Sequence, residues 1–219
     1  MKTLQKFGGI AALYEAAAYI IGMIGFLTVV DVSGVADPVQ KVALMADNQA
    51  FLYIMHLVVY VVWGFFMVVL SLALYERLKA SSPAMMQIAT IFGLFWGCVI
   101  ILSGMIQNVG MLNVVDLYGK DPAQAGTVWL TIDSVLAGLA GSNEAIGGIW
   151  ILLLSWAALR TGAHSKVLNY LGIVVGVAGI LSIIPALAGI FITIFALGQI
   201  VWFIWLGIVL LRSGKKVVA

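Results

Sequence analysis

Charge is what this chain lacks most. Lys and Arg number 11 and Asp and Glu 9, so 9 % of the 219 residues are charged against 63 % hydrophobic. A soluble domain carries about 25 % charged and about 45–50 % apolar residues, so these few charges cannot coat a water-soluble globule. The single cysteine, Cys98, excludes a disulfide framework. The absence of a G-X-Y period excludes a collagen-like chain, and the apolar content excludes disorder. Two histidines, His56 and His164, with His164 in a loop, leave no bis-His haem site. No lysine lies deep in an apolar run, which excludes a retinal Schiff base. No H-x-x-H, H-E-x-x-H or C-x-x-C pair, nucleophile elbow, phosphate-binding glycine loop or paired-carboxylate motif occurs. Neither a metal, a cofactor nor a catalytic residue is therefore assigned.

What is there is a mean hydropathy of +1.15. That is the composition of a polytopic membrane protein with almost nothing outside the bilayer. The net charge of +2 does not point to nucleic acid, because the basic residues punctuate the ends of apolar runs and do not cluster on one face. A hydrocarbon core of about 30 Å needs roughly 20 apolar helical residues. Six stretches qualify, near 8–30, 51–75, 86–108, 144–160, 167–187 and 190–211. The fifth and sixth are separated by a tight connection at Ala188-Gly189, and Pro185 should end or kink the fifth.

Lys and Arg in short connections are retained on the cytoplasmic side. Lys2, Lys6, Arg77, Lys79, Arg160, Lys166, Arg212, Lys215 and Lys216 fall on one side of a six-span layout, and only Lys41 and Lys120 on the other. Both termini are thus expected in the cytoplasm, and the acids Asp31, Asp37, Asp47, Asp116, Asp121, Asp133 and Glu144 lean outward. The N-terminal apolar run of about 22 residues exceeds the roughly 7–15 of a signal h-region, so it reads as a first span that stays uncleaved.

Two outer segments carry structure of their own. In 37–48, Asp37 before Pro38 is a helix N-cap with proline at the first helical position. In 127–140, Val128, Trp129, Ile132, Val135, Leu136 and Leu139 recur at helical spacing with Asp133 off the stripe. Such a short amphipathic helix suits the lipid–water interface, a re-entrant helix being the alternative. No internal repeat stands out, which weakens a secondary-transporter reading. The chain reads as one integral membrane domain, 1–219.

The C-terminal third has a recognisable cadence. Residues 157–162 (AALRTG) and 167–176 (VLNYLGIVVG) resemble the "LLYRSG…LPRWLGVLGIVAG" stretch of bacterial membrane proteins grouped as domain of unknown function 4386. The last span, 198–214, is similar to that family's "GE…ALWLLVKG" ending, and Gly8 to Tyr14 to its "RIAGLLYL" start. The resemblance implies a six-helix fold and brings no known activity. In two places the chain departs from the pattern: Gln199 replaces the family's usual acid, and Glu15 follows Tyr14 where the family is usually apolar.

Polar residues inside spans are the candidate functional residues. Glu15 lies about two turns inside the first span, where an unpaired charge costs at least about 2.5–3.5 kcal/mol. It is either a proton- or substrate-binding carboxylate, or a hydrogen-bonded or snorkelling structural residue. Counting depth along the spans puts His56 level with Gln107, Asn108 and Glu144, with Asn143 and Asp133 descending from the outer segment. These residues could form an outward-opening polar pocket, and a His with a carboxylate partner is a proton relay or half a metal site. The plainer reading has Asn108, Asn143 and Glu144 capping helix ends while His56 bonds across an interface. Gly93/Gly97 and Gly172/Gly176 form GxxxG faces that let helix backbones approach.

Together these features describe an all-α bundle of six transmembrane helices with both termini cytoplasmic, in a bacterial inner membrane. The leading function is a non-catalytic accessory or scaffold subunit, or a binder of lipid-like molecules. Its partners would be membrane lipids, other transmembrane subunits or a second copy, and no nucleic acid. One alternative is a small proton-coupled transporter using Glu15 and the His56–Glu144 level. Another is a membrane enzyme on a lipophilic substrate, with His56 and Glu144 or Asp133 as acid and base.

Overall fold

The structure is a computed structural model that describes residues 2–30, 34–80, 82–140 and 143–213. Every regular element among them is helical. In chain order these are α1 (Lys2–Thr28), α2 (Pro38–Asp47), α3 (Gln49–His56), a π-helical stretch Leu57–Val62 leading into α4 (Trp63–Leu78), α5 (Pro83–Tyr118), α6 (Pro122–Ala140), α7 (Asn143–Thr161), α8 (Lys166–Leu181) and α9 (Ala188–Ser213).

Local chemistry sets several of these ends. Asp37 accepts from the Val39 amide at 3.0 Å with Pro38 as the first helical residue of α2. The same pair recurs at Asp121-Pro122, where Asp121 accepts from the Gln124 amide at 3.0 Å and starts α6, five residues before the expected 127. Gly162 ends α7 with φ +66°, and the Ala163 amide reaches back to the Ala158 carbonyl at 3.1 Å. That left-handed turn suits only glycine without strain. Ser165 then caps α8 by accepting from the Leu168 amide at 3.3 Å.

Among the described residues, five helical stretches are long and apolar enough to cross a membrane: Thr3–Thr28, Gln49–Leu78, Pro83–Tyr118, α6 and α7 taken together within Pro122–Thr161, and Ala188–Arg212. Large apolar side chains stand exposed along them, among them Leu27, Phe65, Ile91, Leu197 and Val201, as lipid-facing surfaces require. The expected fifth span, 167–187, is helical only to Leu181. Its 16 residues reach about 24 Å at 1.5 Å per residue, and 182–187 are turns. Pro185 explains this, since it lacks an N–H and biases Ile184 away from the helical region. Ala188 and Gly189, expected as the connection, instead open α9. Nor does the third span stop at Asn108. Helix α5 runs ten residues further because Met111 and Val114 continue its buried stripe, so Asn108 caps nothing.

The chain falls into two compact units, each drawn from separated parts of the sequence. The first comprises Met1–Ala17, Gly64–Cys98 and Ser142–Ala219, and the second Ala18–Trp63 and Val99–Gly141. In the first, α7 and α8 pack backbone to backbone: a Cβ on Gly148 would sit 2.6 Å from the Gly176 carbonyl oxygen. Helices α1 and α9 do likewise, a Cβ on Gly207 falling 2.9 Å from the Gly9 carbonyl oxygen. Trp150 fills the centre, its ring 6.0 Å from Trp96, 5.8 Å from Trp202 and 6.3 Å from Phe203. The second unit has its own core of Val42, Met45, Leu52, Met111, Val114, Trp129 and neighbours.

Candidate functional site

The second unit holds a half-open cavity of about 330 Å³, within the roughly 300–1,000 Å³ usual for small-molecule sites. Phe26 and Val30 come from α1 and its end, Met45 from α2, Leu52 and His56 from α3, and Tyr60 from the π-helical stretch. Gln107 and Met111 come from α5, and Trp129, Asp133 and Leu136 from α6. The walls are mainly aliphatic, thioether and aromatic, with a few polar groups set into them.

His56 is the best-fixed of those groups. Its Nδ1 lies 2.9 Å from Asn108 Oδ1, and Asn108 Nδ2 donates to the Tyr53 carbonyl at 3.2 Å. With the amide nitrogen committed to Tyr53, the amide oxygen faces Nδ1, so in the neutral ring Nδ1 carries the proton and Nε2 is an acceptor. The imidazole stacks near Phe26 at 6.1 Å and meets Tyr60 edge-on at 5.9 Å. Gln107 lines the same cavity from α5. Asp133, half-exposed, pairs with Lys41 at 3.8 Å.

The helix changes pitch directly after His56. π-Turns are rare and concentrate at functional sites, and this one carries Tyr60 into the cavity wall. Four of its six residues are valines, whose branched Cβ atoms crowd an α-helix. On α5, Gly104 lies against it: a Cβ there would come 2.6 Å from the Tyr60 Cβ. Tyr60 and this turn escaped the sequence reading, and the valine run opposite a glycine was the signal available.

Of the residues singled out by sequence, the structure thus brings His56, Asn108 and Asp133 to one place. Asp133 sits beside the buried stripe of α6, which runs through Ala125, Trp129 and Leu136. Glu144 belongs to the first unit, in the opening turn of α7. Asn143, just before it, accepts from the Trp96 indole at 2.8 Å.

Glu15 and Gln199 are also in the first unit. Glu15 is fully buried, and both carboxyl oxygens lack a hydrogen-bond partner among the described residues. Gln199 is buried too, with its Oε1 unpartnered. The four glycines of the GxxxG faces lie in this unit against other helices. A Cβ on Gly93 would strike Ser71 and Trp150, and one on Gly172 would strike Ser155 and Trp202. At Gly97 it would lie 3.0 Å from the Gly64 carbonyl oxygen, and at Gly176 2.8 Å from that of Gly148.

His164, which the sequence leaves in a loop without a role, is packed into the first unit. It borders a cavity of about 10 Å³ with Ser155, Asn169 and Trp202, room for about one water. Burial, reinforced by the nearby Arg77 charge, pushes its pKa down to about 4. Among the described residues no group of His, Cys, Asp and Glu is arranged to hold a metal ion.

The family model described as Domain of unknown function (DUF4386) matches residues 10–210. No curated protein and no solved structure matches the chain.

Proposed function

The chain belongs to the family of domain of unknown function 4386, and from that premise we propose that this member is a non-catalytic multi-pass protein of a bacterial inner membrane that binds a lipid-like molecule in the cavity of its second unit. The observation that carries this reading is the cavity itself: about 330 Å³, walled mainly by apolar side chains with His56, Tyr60, Gln107 and Asp133 set into them. Soluble cores are packed too tightly to leave such a volume without use, and in a bilayer an apolar cavity fills from the surrounding lipid.

The same reading assigns six crossings, α8 with the following turns completing the fifth, and both termini to the cytoplasm. The second unit holds only Lys41, within α2, and Lys120, just before α6, among the basic residues, which favours the outer side for it. Partner subunits or a second copy would then contact the lipid-facing helices. A second reading, a small proton-coupled transporter, is favoured by Glu15, whose buried carboxyl has no partner among the described residues.

The test is extraction. Organic extracts of the purified wild-type protein should yield one lipophilic compound in near-stoichiometric amount, and extracts of Leu136→Trp, which fills the cavity, should lack it. A wild type carrying only bulk lipid, in the same amount as Leu136→Trp, would remove the binder reading.

A further inference from the structure

Resting on that reading of the cavity, we propose that its ligand is a neutral lipophilic alcohol, whose hydroxyl donates a hydrogen bond to Nε2 of His56. The selection follows from the groups already committed. Asn108 fixes the proton on Nδ1, being itself held by the Tyr53 carbonyl, so the second ring nitrogen presents a lone pair. Among the described residues no donor reaches it: the contacts of His56 are Asn108, Phe26 and Tyr60. Of the other polar wall groups, Asp133 is half-exposed and pairs with Lys41.

An acceptor on a largely apolar cavity wall discriminates by what it would lose. A ligand that brings an O–H satisfies it, whereas one that brings an ether oxygen leaves two lone pairs facing each other, both stripped of water. A carboxylate or phosphate is disfavoured for the same reason and by its own desolvation. An ammonium could donate, but burying its charge costs more than burying a hydroxyl. Phe26, Val30, Met45, Leu52, Met111 and Leu136 then take an aliphatic or isoprenoid body.

The experiment uses a matched pair, farnesol and farnesyl methyl ether, titrated into the full chain in detergent with binding followed by native mass spectrometry. Wild type should favour farnesol by about tenfold or more, because sites that bond a ligand hydroxyl reject the analogue lacking it. The paired variant His56→Leu/Asn108→Leu removes both partners at once, leaves no orphaned polar group, and should bring the two affinities within about twofold. His56→Gln, which can donate to Asn108 and still offer an oxygen, should keep the preference. Equal binding of alcohol and ether by wild type overturns the alcohol assignment while leaving the cavity a binding site. A preference that survives in the paired variant overturns it as well. Binding of neither compound, or of both equally to wild type and Leu136→Trp, overturns the assignment together with the cavity reading beneath it.

Discussion

In the first unit, Gly148 meets the Gly176 carbonyl and Gly207 meets that of Gly9, with no space for a methyl group at either crossing. In the second, side chains from α1, α2, α3, α5 and α6 leave about 330 Å³ unfilled. Helices α1 and α5 contribute residues to both. A single helix can therefore serve a closed packing along one part and wall a cavity along another. The sequence device differs. Small residues draw backbones together in the first unit, whereas in the second a π-turn, a cluster of aromatics and an Asn-fixed His hold walls apart. The difference suggests a division of labour, stability resting on the first and ligand contact on the second.

The largest expected effect contrasts two tryptophans. Trp150, fully buried amid Trp96, Trp202 and Phe203, should cost about 3–5 kcal/mol when replaced by Ala. Trp129 already faces the cavity, so part of its surface has no packing partner to lose, and Trp129→Ala should cost less than half as much. Denaturant unfolding in micelles measures both. Equal costs would break the contrast between the units.

Acid should weaken the first unit through His164. An unfolded His takes up a proton near pH 6.5, whereas His164 resists it down to about 4. Between those values the unfolded chain binds more protons, so stability present above pH 6.5 is lost as pH falls, by up to about 3 kcal/mol. His164→Leu should flatten the stability profile over that window. An unchanged slope would place the acid sensitivity elsewhere.

Smaller still is the effect of Glu15. Glu15→Leu should be neutral or stabilising by about 1 kcal/mol, since it removes an unpartnered polar group from an apolar site, and Glu15→Gln should leave unfolding unchanged. Both variants should retain the compound extracted with wild type, because Glu15 lies in the first unit and the cavity in the second. Loss of that compound in Glu15→Gln would tie the two regions into one functional path and favour transport.

The apolar runs, the Asp37-Pro38 start of α2 and the apolar stripe of α6 were all legible because each rests on local rules of length, capping and periodicity. Depth counting brought His56 and Asn108 together, since residues at one level on adjacent spans need no finer information to be neighbours. Glu144 falls in the first unit and His56 in the second. The early end of α8 was partly visible in Pro185, but the turn begins before that residue, at Ser182. Asp121-Pro122 carried the same capping signal as Asp37-Pro38 and went unread. The π-turn and the burial of His164 depend on what faces them across the fold, Gly104 in one case and Ser155, Asn169 and Trp202 in the other.

One pair of substitutions tests the contrast most directly, each adding volume at a chosen point. Gly148→Ala puts a methyl against the Gly176 carbonyl, and Leu136→Phe extends a side chain into the cavity. Thermal unfolding of both in the same detergent should give opposite signs: Gly148→Ala falls below wild type by about 1–3 kcal/mol, and Leu136→Phe matches or exceeds it, as cavity-filling changes do. A fall of similar size in both would mean that the second unit is packed as tightly as the first and that no cavity awaits a ligand.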